Sequence, residues 1–353
     1  MKDLAICIPA YNRIGCLLAL LKTIVDQVDS SNKNNIQVCI SDDCSPNNLE
    51  IPIKTFMKEY DVEYIYWRNE TNLGADENFL KCVEISDACY CWLLGDDDGI
   101  PNGKIDLILQ YIKNYPQINV FFGNRYICNR KLQIRLKEGW TKNKKDFCVD
   151  FANKENIIEY FDQLNSTTCL GYLSTLIIRK ESWDQIKKNE YEPFIGTIYI
   201  QVAMYLLMLY KKDKLFRITD YIALSRFGYD NFFYSLKQRI FMDYYGFLQV
   251  STIFSDDKEI YNSLIGIVRR HYNNIFLYAM SYTAELTSSE IEILRKLCYS
   301  EKQIRIFTNR NKTKSFIGFI FAVIKSIFID FKWFYKTIFI TSQKLLSNSK
   351  GEK

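Results

Sequence analysis

Short apolar segments alternate with segments of helical periodicity over the first 125 residues of the chain. The apolar segments are rich in Ile, Val, Tyr and Cys and predict strands at residues 3–8, 36–40, 62–67, 89–94 and 118–122. Between the first two strands, apolar residues recur every three or four positions from Leu17 to Val28, which is typical of an amphipathic helix. Strands that alternate with helices predict an α/β fold, with a mostly parallel sheet covered by helices on both faces.

The pattern changes beyond residue 123. Residues 125–136 favour a β-hairpin, and residues 173–179 favour a strand followed by a helix that begins near Lys180. From about residue 231 to residue 298 the pattern is mainly helical. We therefore expect an α/β domain at residues 1–226 that divides near residue 125, a helical region at residues 227–300 and a C-terminal tail at residues 301–353.

Charge is distributed unevenly along the chain. The net charge of the whole chain is +5, but residues 301–353 contain eleven Lys or Arg and three Asp or Glu, a net charge of +8. The first 300 residues therefore carry a net charge of −3. An acidic body argues against nucleic acid as a partner, and a basic, aromatic tail indicates contact with an anionic surface.

The eleven cysteines have the pattern of buried apolar residues rather than of disulfides or metal ligands. Their number is odd, no Cys-x-x-Cys pair occurs, and Cys7, Cys39, Cys89 and Cys91 lie within predicted strands. The N-terminal apolar run is too short and too interrupted for a secretory signal. These features predict a reduced, cytoplasmic setting.

Candidate chemistry lies where the predicted strands end, because ligands of open parallel sheets bind at the carboxyl ends of the strands. We expect Pro9 to stop the first strand, since proline has no N–H to donate, and Tyr11 and Asn12 to line the crevice. The second strand leads into Asp42 and Asp43, whose carboxylates suit a base N–H or a ribose hydroxyl. Ordinary strand-ending turns remain the alternative at both places.

Three consecutive carboxylates, Asp96, Asp97 and Asp98, follow the fourth strand. Adjacent carboxylates repel one another, and a bound divalent cation removes that conflict. Mn²⁺ or Mg²⁺ suits such a site, because these ions take one or two protein carboxylates and fill their other positions with water and phosphate oxygens. Between the second and fourth strands, Asn72 and Gly74 favour a turn into a helix whose N–H groups can bind an anion, or a simple helix cap.

These motifs, in this order and spacing, resemble the family 2 glycosyltransferases of GT-A type. The Trp-Leu-Leu-Gly-Asp-Asp-Asp segment at residues 92–98 is similar to a branch of abequosyltransferase-like enzymes of bacterial O-antigen and capsule assembly. The resemblance covers residues 3–125 well and residues 170–226 faintly. It implies a Rossmann-like GT-A sheet, with a nucleotide-binding half and an acceptor half, and transfer from a nucleotide-sugar donor to a saccharide hydroxyl, with a lipid-linked acceptor.

The resemblance also implies roles for individual residues. Asp96 and Asp98 would serve Mn²⁺ or Mg²⁺ and the diphosphate, and Asp97 would hold the sugar. Cys44 replaces the glycine that the family usually has. The residues expected to contact the nucleotide are Pro9, Tyr11, Arg13, Asp42, Asp43, Asn72, Gly74 and Asp96.

One family feature is missing from the sequence. The acidic pair near the acceptor, which supplies the general base, would fall at residues 196–199, where no carboxylate occurs. An inverting transfer needs a base within hydrogen-bond reach of the acceptor hydroxyl. Glu192 is the nearest substitute, with Glu190 and Asp184 further upstream, and the stereochemical course stays open. The alternative is a catalytically silent subunit that binds a nucleotide sugar or scaffolds a polysaccharide assembly complex. Nucleotidyltransferases and dinucleotide-dependent oxidoreductases lack support, because no glycine-rich loop follows the first strand.

The tail predicts a helix that lies in a membrane surface. Residues 314–350 contain no proline. At about 100° per residue, seven residues from Lys314 to Lys350 fall within one stripe about 40° wide along the helix, and apolar residues surround this stripe. Charged residues interrupt every window long enough to span a bilayer. We therefore expect a peripheral protein on the inner face of the bacterial plasma membrane, with a helix packed on the body as the alternative. The stripe contains Lys314, Gly318, Lys325, Lys332, Lys336, Gln343 and Lys350.

Overall fold

A computed structural model describes residues 1–227, 236–272 and 285–308, together with Ile317 and Ile320. The described residues form one sheet of nine strands. The strands are β1 (Lys2–Ala10), β2 (Ile36–Asp42), β3 (Tyr64–Arg68), β4 (Ala88–Leu93), β5 (Val120–Cys128), β6 (Ile134–Glu138), β7 (Phe147–Asp150), β8 (Leu176–Arg179) and β9 (Lys214–Arg226).

Helices connect and extend these strands. They are α1 (Ile14–Val25), α2 (Glu50–Met57), α3 (Ala75–Glu84), α4 (Lys104–Asn114), α5 (Lys154–Gln163), α6 (Thr168–Gly171), α7 (Lys180–Asp184), α8 (Lys188–Tyr191), α9 (Ile200–Tyr210), α10 (Leu236–Ser251) and α11 (Lys258–His271), followed by helices at Ser288–Lys296 and Glu301–Thr308. Short 3₁₀ turns include Leu173–Thr175 and Glu192–Phe194.

The strand order is β3-β2-β1-β4-β8-β5-β9-β7, with β6 paired to the outer part of β5. The first four strands of this order are parallel, so the carboxyl ends of β1, β2 and β4 lie side by side. Strand β8 is antiparallel to both β4 and β5, and β9 is parallel to β5. Because β8 runs in the opposite direction, the residues that precede it lie beside the end of β4.

Two apolar cores cover the two faces of the sheet. Alternation along β1 places Leu4, Ile6 and Ile8 in one core, together with residues of α1, α2 and α4. Ala5 and Cys7 point to the other core, which contains residues of α3, α9, α10 and α11. The prediction of a sheet covered on both faces is confirmed. The helices of the predicted C-terminal region belong to the same core as the sheet, because α11 packs against α5 and α10 packs against α11.

The predicted strands of the first 125 residues and the hairpin are confirmed within a few residues, and two strands are additional. Strand β7 and the 13-residue strand β9 were not predicted. One prediction is wrong in detail: Pro9 does not stop β1, which continues to Ala10. Pro9 pairs with Ser41 of β2, whereas the pairing of β1 with β4 ends at Cys7. The missing N–H of Pro9 therefore costs the sheet little.

The predicted membrane-binding segment, residues 312–353, lies outside the described residues apart from Ile317 and Ile320. Helix Glu301–Thr308 begins the tail. Among the helices of the described ranges, none is both long enough and apolar enough to cross a bilayer.

Candidate active site

The loops after β1 and β4 meet at the carboxyl edge of the parallel strands. The backbone N–H of Tyr11 donates to Asp96 Oδ2 over 3.2 Å. Arg13 donates from Nη1 to Asp97 Oδ2 over 2.8 Å and forms an ion pair with Asp96 through Nη2. Asp96 is fully buried, while 17% of the Asp97 side chain is exposed. Asp97 is therefore the more accessible of the two carboxylates that Arg13 bridges.

Asp98, in the same loop, finds its partners in the segment that precedes β8 and at the end of β9. Its Oδ2 accepts hydrogen bonds from the hydroxyl of Tyr172, over 2.6 Å, and from the hydroxyl of Ser174. Its Oδ1 accepts from the backbone N–H of Arg226 over 3.0 Å, and Arg226 Nε donates to the Asp97 carbonyl over 2.6 Å. The loop of three aspartates is thus held by segments 74 to 129 residues further along the chain.

Burial raises the pKa values of Asp96 and Asp98. Removal from water, with the neighbouring Asp97 charge, raises the pKa of Asp98 to about 6. Removal from water also raises the pKa of Asp96, to about 7, although the Arg13 guanidinium opposes the rise and Asp97 adds to it. A cation bound nearby would stabilise the ionised form of these buried carboxyl groups and so lower their pKa values.

The chemistry of these residues fits a divalent cation. Asp96 and Asp98 are both buried, and each has a raised pKa that a bound cation would lower. Over the ranges that the structure describes, no group of three or more His, Cys, Asp or Glu side chains is arranged to hold a metal. One or two carboxylates suffice for Mg²⁺ or Mn²⁺ when a phosphate and water complete the shell. The Arg13 guanidinium, which now contacts Asp96, would have to share or leave that carboxylate.

Asp42 is fully buried at the end of β2, and its carboxylate is engaged within the protein. Its Oδ1 accepts from the backbone N–H of Ser45 over 2.9 Å and from the Ser45 hydroxyl over 2.5 Å. Its Oδ2 accepts from Tyr66 over 2.7 Å and pairs with Arg68 over 2.6 Å. The side chain of Arg68 is 39% exposed, so Arg68 presents the more accessible polar group beside Asp42.

Asp43 organises the loop before α3. Its Oδ1 accepts from the Leu73 backbone N–H over 2.7 Å, and its Oδ2 accepts from that of Gly74 over 2.9 Å. Asn72 donates to the Asp43 carbonyl over 3.3 Å. Gly74 has φ 85° and ψ 165°, which is a conformation that only glycine adopts readily, so the glycine is needed for the entry into α3. Three predicted site residues therefore meet in one turn.

The loop after β1 borders the same edge. Tyr11 is 44% exposed, whereas Pro9 is buried within the strand. Asn12 and Cys44 have φ angles of 54° and 55°, and Asn12 N–H donates to the Ser45 hydroxyl over 2.9 Å. The positive φ at Cys44 gives a physical reason for the usual glycine at this position.

Glu192 lies apart from these contacts. It begins the 3₁₀ turn Glu192–Phe194, its side chain is 60% exposed, and its carboxylate is 3.9 Å from Lys188 one turn earlier. Glu190 pairs with Lys211, and Asp184 pairs with Lys180. All three candidates for the base thus have lysine partners outside the aspartate loop.

Sequence reasoning missed several residues of the site. Tyr172, Ser174 and Arg226 contact the aspartate loop from segments whose resemblance to the family is faint. The contacts of Asp76 were also not predicted: it is 5% exposed and accepts hydrogen bonds from the backbone N–H groups of Gly196 and Ile198. The one available signal for Asp76 was its position in the first turn of the helix after Gly74, where an acidic residue also has the ordinary role of favouring a helix N-terminus.

The sheet order, with the aspartate loop at the carboxyl edge of the parallel strands, is that of the GT-A fold. The chain is similar to Staphylococcus aureus TarS 1–349 in complex with UDP-GlcNAc, with a TM-score of 0.58 and 14% identity over 93% of this chain and 91% of that one. It is also similar to the mannosyltransferase PcManGT of Pyrobaculum calidifontis in complex with GDP-Man and Mn²⁺, with a TM-score of 0.53 and 10% identity over 91% and 90% of the two chains. At these identities the likeness shows the fold alone.

The sequence comparisons give the family. Residues 5–182, half of the chain, match the model of Glycosyl transferase family 2, and the chain belongs to this family. It is 29% identical to the abequosyltransferase RfbV of Salmonella typhimurium over 283 residues, which are 78% of this chain and 80% of that protein. It is 33% identical to an uncharacterized glycosyltransferase of Haemophilus influenzae over 119 residues, 34% of this chain and 37% of the other. The predicted family and fold are confirmed.

Proposed function

We propose that this protein transfers a sugar from a nucleotide-sugar donor to a hydroxyl of a saccharide acceptor, with a divalent cation at Asp96 and Asp98. In this function the acceptor is linked to a lipid carrier, and the reaction belongs to the synthesis of a bacterial cell-surface polysaccharide such as O-antigen or capsule. Its support is family membership and the relative named as an abequosyltransferase. The observation that carries the metal assignment is the pair of buried carboxyl groups with raised pKa values at the carboxyl edge of the sheet.

In this function, residues at different positions of the site have different roles. Pro9, Tyr11, Arg13, Asp42, Asp43, Asn72 and Gly74 form the nucleotide side, where Arg68 is an added candidate because it is the exposed partner of Asp42. Asp96 and Asp98 hold Mn²⁺ or Mg²⁺, which would neutralise charge on a departing diphosphate. Asp97 faces the sugar, and Tyr172 and Ser174 orient Asp98 through their hydroxyls. Glu192 stays the candidate base on sequence position.

Substitution of the two buried aspartates tests the metal assignment. Asp96→Asn and Asp98→Asn should abolish nucleoside diphosphate release and metal-dependent thermal stabilisation by nucleotide sugars, because each removes a charge that the cation needs. A thermal-shift panel of UDP-, GDP-, CDP- and dTDP-sugars with and without Mn²⁺ provides the donor for the assay.

Asp87→Asn is the matched control for these variants. Asp87 is exposed and directly precedes β4, at the opposite end of the strand that leads to Asp96. The control should keep wild-type diphosphate release. Wild-type turnover in Asp96→Asn and Asp98→Asn, or full activity of the wild-type protein in EDTA, would contradict the metal role.

The second candidate is a catalytically silent subunit that binds a nucleotide sugar. The absence of a carboxylate from residues 196–199 favours it. The two candidates differ in one observable: a silent subunit is stabilised by a nucleotide sugar but releases no nucleoside diphosphate from it at any Mn²⁺ concentration.

A further inference from the structure

A single buried carboxylate binds the loop that lies between the 3₁₀ turn at Glu192 and helix α9. Asp76 Oδ2 accepts hydrogen bonds from the backbone N–H groups of Gly196, over 2.7 Å, and Ile198, over 2.9 Å. Its Oδ1 is 3.5 Å from the N–H of Ile200, the first residue of α9. Asp76 lies about 120 residues earlier, in the first turn of α3, so one side chain ties two distant elements together.

The backbone of this loop is held in conformations that are costly for its sequence. Gly196 has φ 88° and Ile198 has φ 62°. Positive φ is ordinary for glycine but is an outlier for a β-branched residue such as isoleucine, and it persists only where surrounding contacts enforce it. The two N–H groups on either side of Thr197 both point to Asp76, which supplies those contacts. Removal from water raises the pKa of Asp76, although the backbone donors lower it.

The far end of the loop is fixed by Tyr199. Its ring packs where Gly171 and Gly246 leave room, since an added Cβ would come within 2.9 Å of the ring at Gly171 and within 2.2 Å at Gly246. Its hydroxyl donates to the buried Asp243 over 2.5 Å. The loop is therefore clamped on one side by Asp76 and on the other by α10.

Contacts connect this loop to the aspartate site. Gln201 Nε2 donates to the carbonyl of Gly171 over 3.1 Å, and the next residue, Tyr172, donates to Asp98. The loop therefore abuts the segment that orients Asp98. It begins next to Glu192, and residues 196–199 contain no side-chain carboxylate of their own. The fold thus brings two buried carboxylates to this loop: Asp243 binds the Tyr199 hydroxyl, and Asp76 binds the backbone.

We propose that Asp76 is a positioning residue for the acceptor side of the site: by binding the N–H groups of Gly196 and Ile198, it fixes the loop against which the attacking hydroxyl is aligned. The role rests on the proposed function, because it presupposes a transfer reaction. Alignment of the attacking group affects turnover more than donor binding, which depends on the other side of the crevice.

Three variants of the full chain test this role. Asp76→Ala removes both hydrogen-bond acceptors, and Asp76→Asn keeps a carbonyl oxygen that accepts from the same N–H groups. Glu77→Ala is the matched control, because Glu77 is an exposed carboxylate in the same first turn of α3. The first readout is hydrogen exchange of the Gly196 and Ile198 amides, which needs no substrate. Exchange should be about tenfold faster in Asp76→Ala, close to wild type in Asp76→Asn and unchanged in Glu77→Ala.

The second readout is nucleoside diphosphate release with Mn²⁺ and the donor that gives the largest thermal shift, with water as the attacking group. In Asp76→Ala kcat should fall about tenfold or more while the donor KM stays within about twofold, and Asp76→Asn should restore most of kcat. A higher donor KM with unchanged kcat would overturn the proposal. So would loss of kcat in Asp76→Asn with the amides still protected, since that pattern belongs to a proton acceptor.

The two proposals fail separately. If the wild-type chain releases no diphosphate from any donor, the proposed transfer is wrong, and the exchange measurement alone decides whether Asp76 clamps the loop. If release is normal in the wild type and the Gly196 and Ile198 amides exchange equally in Asp76→Ala and wild type, the positioning role is wrong while the transfer stands.

Discussion

The buried Asp98 carboxylate should lower the stability of the metal-free protein near neutral pH. The pKa of Asp98 is raised to about 6, against about 3.9 in an unfolded chain, because the group is buried beside Asp97. The folded state therefore binds a proton more tightly than the unfolded state. The protonated Asp98 carboxyl group therefore contributes stability that is fully present below about pH 4 and is lost as the pH rises through about 6.

Asp98→Asn is expected to remove that pH dependence. Without metal, and with EDTA present, the variant should gain a few degrees in Tm relative to wild type between pH 4 and pH 7.5, because the amide carries no charge to bury. Thermal unfolding of both proteins at the two pH values measures the difference. An equal difference in Tm at both pH values would show that burial does not perturb Asp98. Asp87→Asn, an exposed carboxylate before the same strand, should show no such trend.

At the scale of single elements, we expect the backbone conformation of the turn into α3 to affect binding of the nucleotide-sugar donor. Gly74 has φ 85° and ψ 165°, and an added Cβ there would contact nothing within 4 Å. The cost of Gly74→Ala is therefore conformational rather than steric, on the order of 1–3 kcal/mol. We expect a lower Tm and weaker binding of the donor, because the Asp43 contacts with Leu73 and Gly74 depend on this turn.

Gly15→Ala gives the matched comparison for Gly74→Ala. Gly15 lies in the first turn of α1, has open space around an added Cβ and has no positive φ. Alanine there should be neutral or slightly stabilising, because glycine is a poor helix former. Differential scanning fluorimetry with and without the donor separates the two effects. Equal Tm and donor affinity in the two alanine variants would contradict a conformational cost of alanine at position 74.

Elements with strong local patterns were predictable, and those defined by distant partners were not. Buried parallel strands such as β4 are short apolar runs, and the carboxylates after them follow from the end of the run. Strand β9 contains Arg217, Thr219 and Asp220, so its apolar pattern is interrupted, and its place next to β5 depends on tertiary pairing. The role of Asp76 was equally hidden, because its partners lie about 120 residues away and are backbone N–H groups, which leave no trace in side-chain patterns.

For the whole molecule, the distribution of charge suggests how the crevice meets its acceptor. The first 300 residues carry a net charge of −3, while residues 301–353 carry +8. An acidic body is repelled by an anionic bilayer, so any attraction must come from the tail. If the acceptor is lipid-linked, as proposed, a tail held at the surface would raise the frequency of encounters without contributing to donor binding.

Deletion of residues 312–353 is therefore expected to release the protein from anionic liposomes while donor binding stays at the wild-type level. Co-sedimentation with phosphatidylglycerol vesicles measures the first effect, and thermal shift with the donor measures the second. Neutral phosphatidylcholine vesicles are the lipid control. A full-length variant with Lys314, Lys325, Lys332 and Lys336 changed to Gln separates charge from apolar contact: at about 1 kcal/mol per lysine near the surface, it should lose most of its preference for anionic lipid. If the truncated protein sediments with anionic vesicles as well as the full chain does, the tail is not the anchor.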